Sequence, residues 1–304
     1  MSRNHSLAFF GAMLAALILS GCAAVKVASE GLAATGFISK EQAQSIEKTA
    51  DATGKASEKF TSENEYYLGR SVAATVLTEY KPLDNPKANE YVNLLGQTLA
   101  MASDKPDTFG GYHFLILDTD EINAIAAPGG LILVSRGLLK CCRDEESLAA
   151  VLAHEVGHVQ LEHGVKAISG ARWKTAGMTA VMETGKSLAG QQLSEALNSF
   201  QDCINDITDK IINSGYARKQ EFQADKVAVE ILNRVGYNPA GLKEMLEEMQ
   251  KRVDPNDKHG FGKTHPEPKA RIAEIEPLLG AAAASQAAGA DIRAKRFSKA
   301  MAGV

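Results

Sequence analysis

The chain has 304 residues, of which 45% are hydrophobic and 23% are charged, as in an ordinary folded globular protein. This composition excludes a wholly disordered chain, a collagen-like fibre and a polytopic membrane protein. The 33 basic and 37 acidic residues give a net charge of -4. Nucleic-acid-binding proteins usually carry a basic excess, so the sequence predicts no nucleic-acid partner.

The N-terminal residues 1–21 are predicted to be a lipoprotein signal peptide. Arg3 supplies a positive charge, and residues 7–19 form an apolar run that is too short to span a bilayer comfortably as a helix. The sequence Leu19-Ser20-Gly21-Cys22 resembles a bacterial lipobox, so Cys22 is the predicted lipidation site and membrane anchor. The alternative is an ordinary cleaved signal that leaves Cys22 as an incidental thiol. No aspartate follows Cys22, and the resemblance to Gram-negative lipoproteins implies an outer-membrane location on the periplasmic side.

The next segment, residues 22–59, is rich in small and polar residues and is predicted to be a tether. A helix is predicted from near Glu63, where apolar residues recur at helical spacing until Pro82 interrupts the pattern. A second helix is predicted from about Pro86.

Three short runs with β character follow these helices. Residues 112–118 form one compact run, and residues 122–127 and 131–135 form two more. The sequence Pro128-Gly129-Gly130 separates the last two runs, so we expect two strands joined by a tight turn.

Helices are predicted to dominate from Asp144 onward. Residues 164–215 are long and weakly patterned, and we expect helices together with a mobile excursion. Residues 281–304 are poor in large apolar side chains and are predicted to be a loosely ordered, low-complexity tail. One folded domain is therefore expected over residues 60–280.

Three further cysteines, Cys141, Cys142 and Cys203, are too few for a disulfide-built scaffold. Their odd number means that at least one is a thiol or pairs with another chain. Adjacent cysteines rarely bridge each other, so a disulfide between Cys203 and one of the other two is left open. Their spacing does not match a zinc finger, which argues against a cysteine zinc site.

The chemistry is predicted to lie at His154-Glu155-Val-Gly-His158, an H-E-x-x-H motif. Asp144 can cap a helix that carries this motif. Residues four apart on a helix share a face, so His154 and His158 can bind one metal ion. Glu155 lies about 100° further around the helix, where it can act as the general base.

A third metal ligand must come from elsewhere, because catalytic zinc usually takes three protein ligands. Leu161 and Gly164 exclude the metzincin continuation, which needs Gly and His there. His163 would lie about 180° from His154 on a continuous helix, so we assign it to the surface or to a contact behind a ligand.

The best candidate for the third ligand is Glu221. It shares a helix face with Asp225 by its i, i+4 spacing, so Glu221 could bind the metal while Asp225 accepts the outer N–H of a ligand histidine. A solvated acidic helix face is the alternative explanation of this pair. Together these residues predict one Zn²⁺ per chain.

The sequence resembles the M48 family of zinc metallopeptidases over about residues 60–280, and the predicted lipidation makes it most similar to the periplasmic lipoprotein branch of that family. Ile125 and Ala217 depart from the residues that the family usually has. The motifs that carry the resemblance, besides His154–His158, are Asn123-Ala-Ile-Ala-Ala-Pro128-Gly129-Gly130, Gly137-Leu-Leu139, Arg218-Lys-Gln-Glu221-Phe-Gln-Ala224-Asp225 and Thr264-His265-Pro266 with Arg271.

The resemblance implies an α+β, mostly helical zincin-like domain, in which a small β-sheet places its edge strand beside the H-E-x-x-H helix. It implies that this edge, formed by Asn123, Ala124, Ile125 and Ala126, binds an extended substrate by backbone pairing. The alternative is a core hairpin in which Asn123 caps a turn. Under the same resemblance, residues 164–215 would act as a lid or plug.

Three roles are left open for His265. It could stabilise the tetrahedral oxyanion as a catalytic residue, bind the zinc and block it, or orient the chain before a helix that starts near Pro266. Arg271 is assigned to a structural ion pair.

The resulting functional hypothesis is a zinc-dependent endopeptidase that hydrolyses peptide bonds of unfolded or misassembled envelope proteins. The alternative is a chaperone-like or binding lipoprotein with a latent, self-inhibited zinc site. A purely structural zinc site is less well supported, because such sites usually have four protein ligands and favour cysteine.

Overall fold

A computed structural model describes residue 40 and residues 61–167, 191–252, 264–265, 268–279 and 289–304 of the chain. The predicted signal peptide, the lipidation site Cys22 and nearly all of the tether lie outside these described residues. Within the described ranges, no helix combines the length and the apolar content needed to cross a bilayer.

The folded part begins with two helices, α1 (Ser62–Glu79) and α2 (Pro86–Met101). The Thr61 hydroxyl accepts a hydrogen bond from the first turn of α1, and the Asn85 side chain does the same for α2. Pro86 occupies the first turn of α2, where its missing N–H leaves no hydrogen bond unmade. Both predicted helices are therefore confirmed.

Three strands follow, β1 (His113–Leu117), β2 (Ala124–Ala127) and β3 (Leu131–Ser135). Over these residues the sheet order is β1-β3-β2, with β1 parallel and β2 antiparallel to β3. A 3₁₀ turn over Pro128–Gly130 joins β2 to β3. Gly129 has a φ of 73°, and a Cβ there would lie 2.8 Å from the Cα of Tyr66, so this turn requires glycine.

The outer edge of β1 is closed by side chains of α2. The backbone N–H groups of Phe114 and Ile116 donate to the side-chain oxygens of Asn93 and Asn89, both at 2.9 Å. These two asparagines stand in for a neighbouring strand, so this edge of the sheet offers few unpaired backbone groups.

The remaining described helices pack against the sheet or against other helices. Their bounds are α3 (Arg136–Leu139), α4 (Glu145–Gln160), α5 (His163–Lys166), α6 (Gln191–Thr208), a π-helix (Asp209–Ser214), α7 (Arg218–Val235), α8 (Ala240–Arg252), α9 (Pro268–Leu279) and α10 (Ala290–Ala300). Nearly every residue of α4 is buried, since α2, α7 and α8 all pack against it. The predicted α+β, mostly helical fold is confirmed.

The buried apolar side chains of the described residues form one core on each face of the sheet. Ile132 and Val134 of β3 point to the core that contains α2, α4, α7 and α8. Leu133, between them, points to the core that contains α1 and α6. The alternation of side chains along β3 thus assigns its two faces to different helices.

The cysteines lie in both cores. Cys141 and Cys142 pack in the first core and Cys203 in the second. All three are buried thiols, so the disulfide that the sequence left open for Cys203 is not formed.

The predicted loosely ordered tail is wrong for residues 290–300, which form α10. Arg296 of α10 bonds the carboxylate of Glu145, which is fully buried in the first turn of α4. The Tyr91 and Tyr237 hydroxyls donate to the same carboxylate at 2.6 and 2.5 Å. Burial would raise the pKa of Glu145, but these partners overcome it and lower that pKa. The prediction relied on the low content of large apolar residues. It missed α10 because charged and aromatic partners hold this helix in place.

Candidate metal centre

Helix α4 places the two histidines of the H-E-x-x-H motif on one face. Asp144 caps this helix, since its side chain accepts from the Ser147 N–H at 2.9 Å and the Ser147 hydroxyl bonds back to Asp144. His154 and His158 are 2% and 1% exposed, and their Nε2 atoms lie 3.0 Å apart. The i, i+4 spacing therefore directs both nitrogens to one point, as predicted.

Glu221 reaches the same point from α7. Its Oε2 lies 3.6 Å from Nε2 of His154, and its Oε1 lies 3.4 Å from Nε2 of His158. Helices α4 and α7 come close because Gly157 faces Ala224, where a Cβ on Gly157 would lie 2.9 Å from the Ala224 carbonyl oxygen. Small residues at this crossing allow the carboxylate to meet the two rings.

His265 completes a cluster of four residues that could ligate a metal. One ligand atom from each of His154, His158, Glu221 and His265 lies within 4.8 Å of the others. Nε2 of His265 is also 3.7 Å from Oε1 of Glu155, and its Nδ1 is 3.0 Å from the Thr264 hydroxyl. The position beside Glu155 and the Nε2 atoms of the two motif histidines is compatible with either of the chemical roles left open for His265.

Asp225 lies behind His154 and is paired with a buried arginine. Its Oδ1 is 2.9 Å from Nδ1 of His154, and its two oxygens accept from Arg271 at 2.6 and 2.8 Å. Arg271 is 1% exposed, and its Nη1 is 3.3 Å from Oε2 of Glu221. Burial would raise the pKa of Asp225, but the charge and hydrogen bonds of Arg271 hold it well below the ordinary range.

The donor set fits a divalent cation. Neither oxygen of Glu221 accepts a hydrogen bond from any described residue, although the side chain is fully buried. Burial raises the pKa of Glu221 well above its ordinary value, and the nearby charge of Arg271 only partly opposes this. Two imidazole nitrogens facing a buried carboxylate are the donors that zinc takes in proteins, and a cation between them would satisfy the carboxylate.

Glu155 lies beside the cluster without facing the same point as the two histidines. It is 1% exposed, and its Oε1 has no hydrogen-bond partner among the described residues. Burial raises the pKa of Glu155 to about 8, against the opposing charge of Arg271. A carboxyl group in such a site can exchange a proton near neutral pH.

Two further aromatic rings contact His158. His163 is 2% exposed and places its Nδ1 3.0 Å from Nδ1 of His158, and burial lowers its pKa to about 4. Tyr216 stacks on the His158 ring with centroids 4.3 Å apart. Sequence reasoning left His163 between the surface and a contact behind a ligand, and the buried contact is correct. It missed Tyr216, because no spacing rule marks an aromatic residue two positions before a helix.

The motif helix does not continue as far as His163. Helix α4 ends at Gln160, and Glu162 adopts a left-handed conformation with a φ of 56°. His163 therefore begins a new turn, and its direction from His154 does not follow from continuous helical geometry.

The predicted substrate edge, Asn123 with Ala124, Ile125 and Ala126 of β2, lies against α4 but is buried. These four residues are at most 4% exposed, and the π-helix Asp209–Ser214 packs next to β2. Ile125 shares a core with Ile207, Ile211 and Ile212. The part of residues 164–215 that the structure describes thus covers β2, whereas residues 168–190 lie outside the described ranges.

The profile of Peptidase family M48 matches residues 86–278, which is more than half of the chain. The chain belongs to peptidase family M48. The beta-barrel assembly-enhancing protease of Escherichia coli K12 is 27% identical over 195 residues, or 63% of this chain and 39% of that protein. Metalloprotease LoiP of the same organism is 29% identical over 196 residues, or 64% of this chain and 73% of that protein.

A mitochondrial relative shows a similar level of sequence identity. The mitochondrial metalloendopeptidase OMA1 of Schizosaccharomyces pombe is 31% identical over 158 residues, or 52% of this chain and 43% of that protein. The chain spans about two fifths of the length of the assembly-enhancing proteases that it matches with 27% identity. The M48 resemblance of the sequence is confirmed, and α10 lies outside the matched residues.

Proposed function

We propose that this chain is a zinc-dependent endopeptidase that uses Glu155 as its general base. The observation that carries the proposal is the convergence of Glu221 with His154 and His158, which leaves a buried carboxylate facing two imidazole nitrogens. Membership of M48, a family of metallopeptidases, supports the same assignment.

In this proposal His154, His158 and Glu221 hold one Zn²⁺ per chain. When bound, a divalent cation lowers the pKa of a water molecule and polarises the substrate carbonyl. Glu155 accepts the proton of the attacking water and delivers it to the leaving amine. Asp225, with Arg271 behind it, holds the ring of His154 in place through Nδ1.

The proposed substrate is an extended polypeptide that pairs with β2. Backbone pairing demands little of the substrate sequence, which suits unfolded or misassembled proteins. The π-helix Asp209–Ser214 lies next to β2, so we expect this segment to move before a substrate strand can bind.

We further propose that the substrates are envelope proteins, met at the outer membrane on its periplasmic side. The lipobox-like Leu19-Ser20-Gly21-Cys22 supports a lipid anchor at Cys22. Relatives from Gram-negative bacteria that are named beta-barrel assembly-enhancing proteases support the envelope assignment.

Glu155→Gln tests the proposal. We expect the wild-type protein to bind one Zn²⁺ and to cleave an unfolded protein, and we expect the variant to bind Zn²⁺ equally well without cleaving. His113→Leu is the control, because His113 is exposed at the start of β1 and away from the cluster. Cleavage by Glu155→Gln at the wild-type rate would refute the assignment of the general base.

A second candidate is a chaperone-like or binding lipoprotein whose site is latent. The buried state of β2 and the position of His265 within the cluster favour it. His265→Ala then separates the two candidates, with Zn²⁺ content measured in parallel. A gain of cleavage in the variant supports a latent site, whereas stoichiometric Zn²⁺ with no cleavage by either protein supports a binding role.

A further inference from the structure

We infer that His163 is a positioning residue that fixes the ring orientation and the tautomer of His158. This inference rests on the proposed function, because it assigns His158 as a ligand of the cation. It adds His163, which contacts His158, to the Asp225–Arg271 pair, which contacts His154.

The argument starts from two nitrogens that face each other. Nδ1 of His163 and Nδ1 of His158 are 3.0 Å apart, and both rings are buried. Such a contact requires one N–H donor and one lone-pair acceptor. A neutral His158 can offer the lone pair of Nε2 to a cation held with Glu221 only if its proton is on Nδ1, so His158 donates and His163 accepts.

Helix α7 fixes the tautomer of His163 in turn. The Gln223 side chain raises the pKa of His163 against the burial that lowers it, as a hydrogen-bond acceptor does. Since Nδ1 of His163 faces His158, the bond to Gln223 uses Nε2, where the amide oxygen can accept the remaining proton. Helix α7 therefore orients both ligand rings, through Asp225 at His154 and through Gln223 and His163 at His158.

The backbone is shaped to bring His163 to this position. A continued α4 would carry residue 163 to about 180° from His154. Instead, Glu162 adopts a φ of 56°, the sole positive φ of a non-glycine residue in the described part of the chain. Lys105 holds the Glu162 carboxylate at 3.2 Å. Left-handed conformations of this kind persist where the surroundings impose them, often next to functional groups.

A pair of variants separates the hydrogen bond from simple packing. His163→Leu fills the site but offers no acceptor. His163→Asn keeps an acceptor, because its Oδ1 is the same number of bonds from Cα as the Nδ1 of histidine. We expect competition with a chromophoric chelator to show Zn²⁺ affinity lowered about 10- to 100-fold in the leucine variant. We expect the asparagine variant to keep most of the wild-type affinity, and His113→Leu, at an exposed position, to keep all of it.

The tautomers of His158 and His163 provide a measurement that a purely steric role of His163 would not affect. Long-range ¹⁵N–¹H spectra of the Zn²⁺-loaded wild-type protein should place the proton of His158 on Nδ1 and that of His163 on Nε2. Unchanged Zn²⁺ affinity in His163→Leu, equal weakening in His163→Asn, or a proton on Nδ1 of His163 would each overturn the inference. A wild-type protein that binds no Zn²⁺ would instead overturn the proposed function.

Discussion

Replacing Asp225 by asparagine tests the buried charge pair beside the proposed metal centre. Asp225 accepts two hydrogen bonds from Arg271, at 2.6 and 2.8 Å, and its Oδ1 lies 2.9 Å from Nδ1 of His154. Both charged side chains are at most 1% exposed, so the variant removes the carboxylate that accepts both hydrogen bonds and leaves the buried guanidinium beside Glu221, whose Oε2 is 3.3 Å from Nη1. Breaking a buried pair from one side costs about 3–5 kcal/mol. For a domain of this size, that corresponds to a fall in melting temperature of about 6–20 °C.

The assay is urea and thermal unfolding followed by circular dichroism, with a chelator present so that bound cation contributes nothing to stability. Glu230→Gln is the control, since it makes the same change of charge on α7 outside the cluster. We also expect Zn²⁺ affinity of Asp225→Asn to fall about 10- to 100-fold, because the amide gives His154 only a neutral acceptor and presents an NH₂ donor where Arg271 needs an acceptor. A variant that unfolds within about 1 kcal/mol of the wild type and binds Zn²⁺ equally tightly would refute this reasoning.

Four further predictions follow from the packing. Gly215→Ala should cost about 3 kcal/mol in urea unfolding, because Gly215 has a φ of 71° and a Cβ there would lie 2.3 Å from the Thr264 carbonyl oxygen. Gly236→Ala, at a φ of 78° with open space around it, should cost only about 1 kcal/mol. Glu145→Ala should cost about 2 kcal/mol in the same assay, since two tyrosine hydroxyls and the half-exposed Arg296 lose their acceptor. A thiol reagent should label Cys141, Cys142 and Cys203 only after unfolding, because all three are buried, and rapid labelling of the native protein would contradict the packing.

The sequence was informative wherever function depends on spacing within one element. The i, i+4 pairs His154–His158 and Glu221–Asp225 each predicted a shared helix face, and both are found as expected. The strands also followed from local patterns, because the Pro128-Gly129-Gly130 turn left little freedom for the chain between β2 and β3.

Features that depend on contacts between distant elements were missed or misplaced. The position of His163 depends on the left-handed conformation of Glu162. This conformation is unfavourable for glutamate, and no local sequence rule predicts it. Helix α10 was overlooked because it has one buried apolar residue, Phe297, and its other contacts include Arg293 with Glu146 and Arg296 with Glu145, pairs that composition does not report. The π-helix that covers β2 is held by the packing of Ile211 and Ile212. The weak hydrophobic pattern of residues 164–215 did not predict this packing.

The contact of α10 with α4 also ties the metal-binding motif to the far end of the chain. The carboxylate of Glu145 receives its guanidinium from Arg296, a residue 151 positions further along the chain. Without that guanidinium, burying the first turn of α4 would cost the desolvation of a carboxylate that has lost its charged partner. The helix that carries both histidines of the H-E-x-x-H motif therefore depends, at its first turn, on residues outside the segment that carries the chemistry.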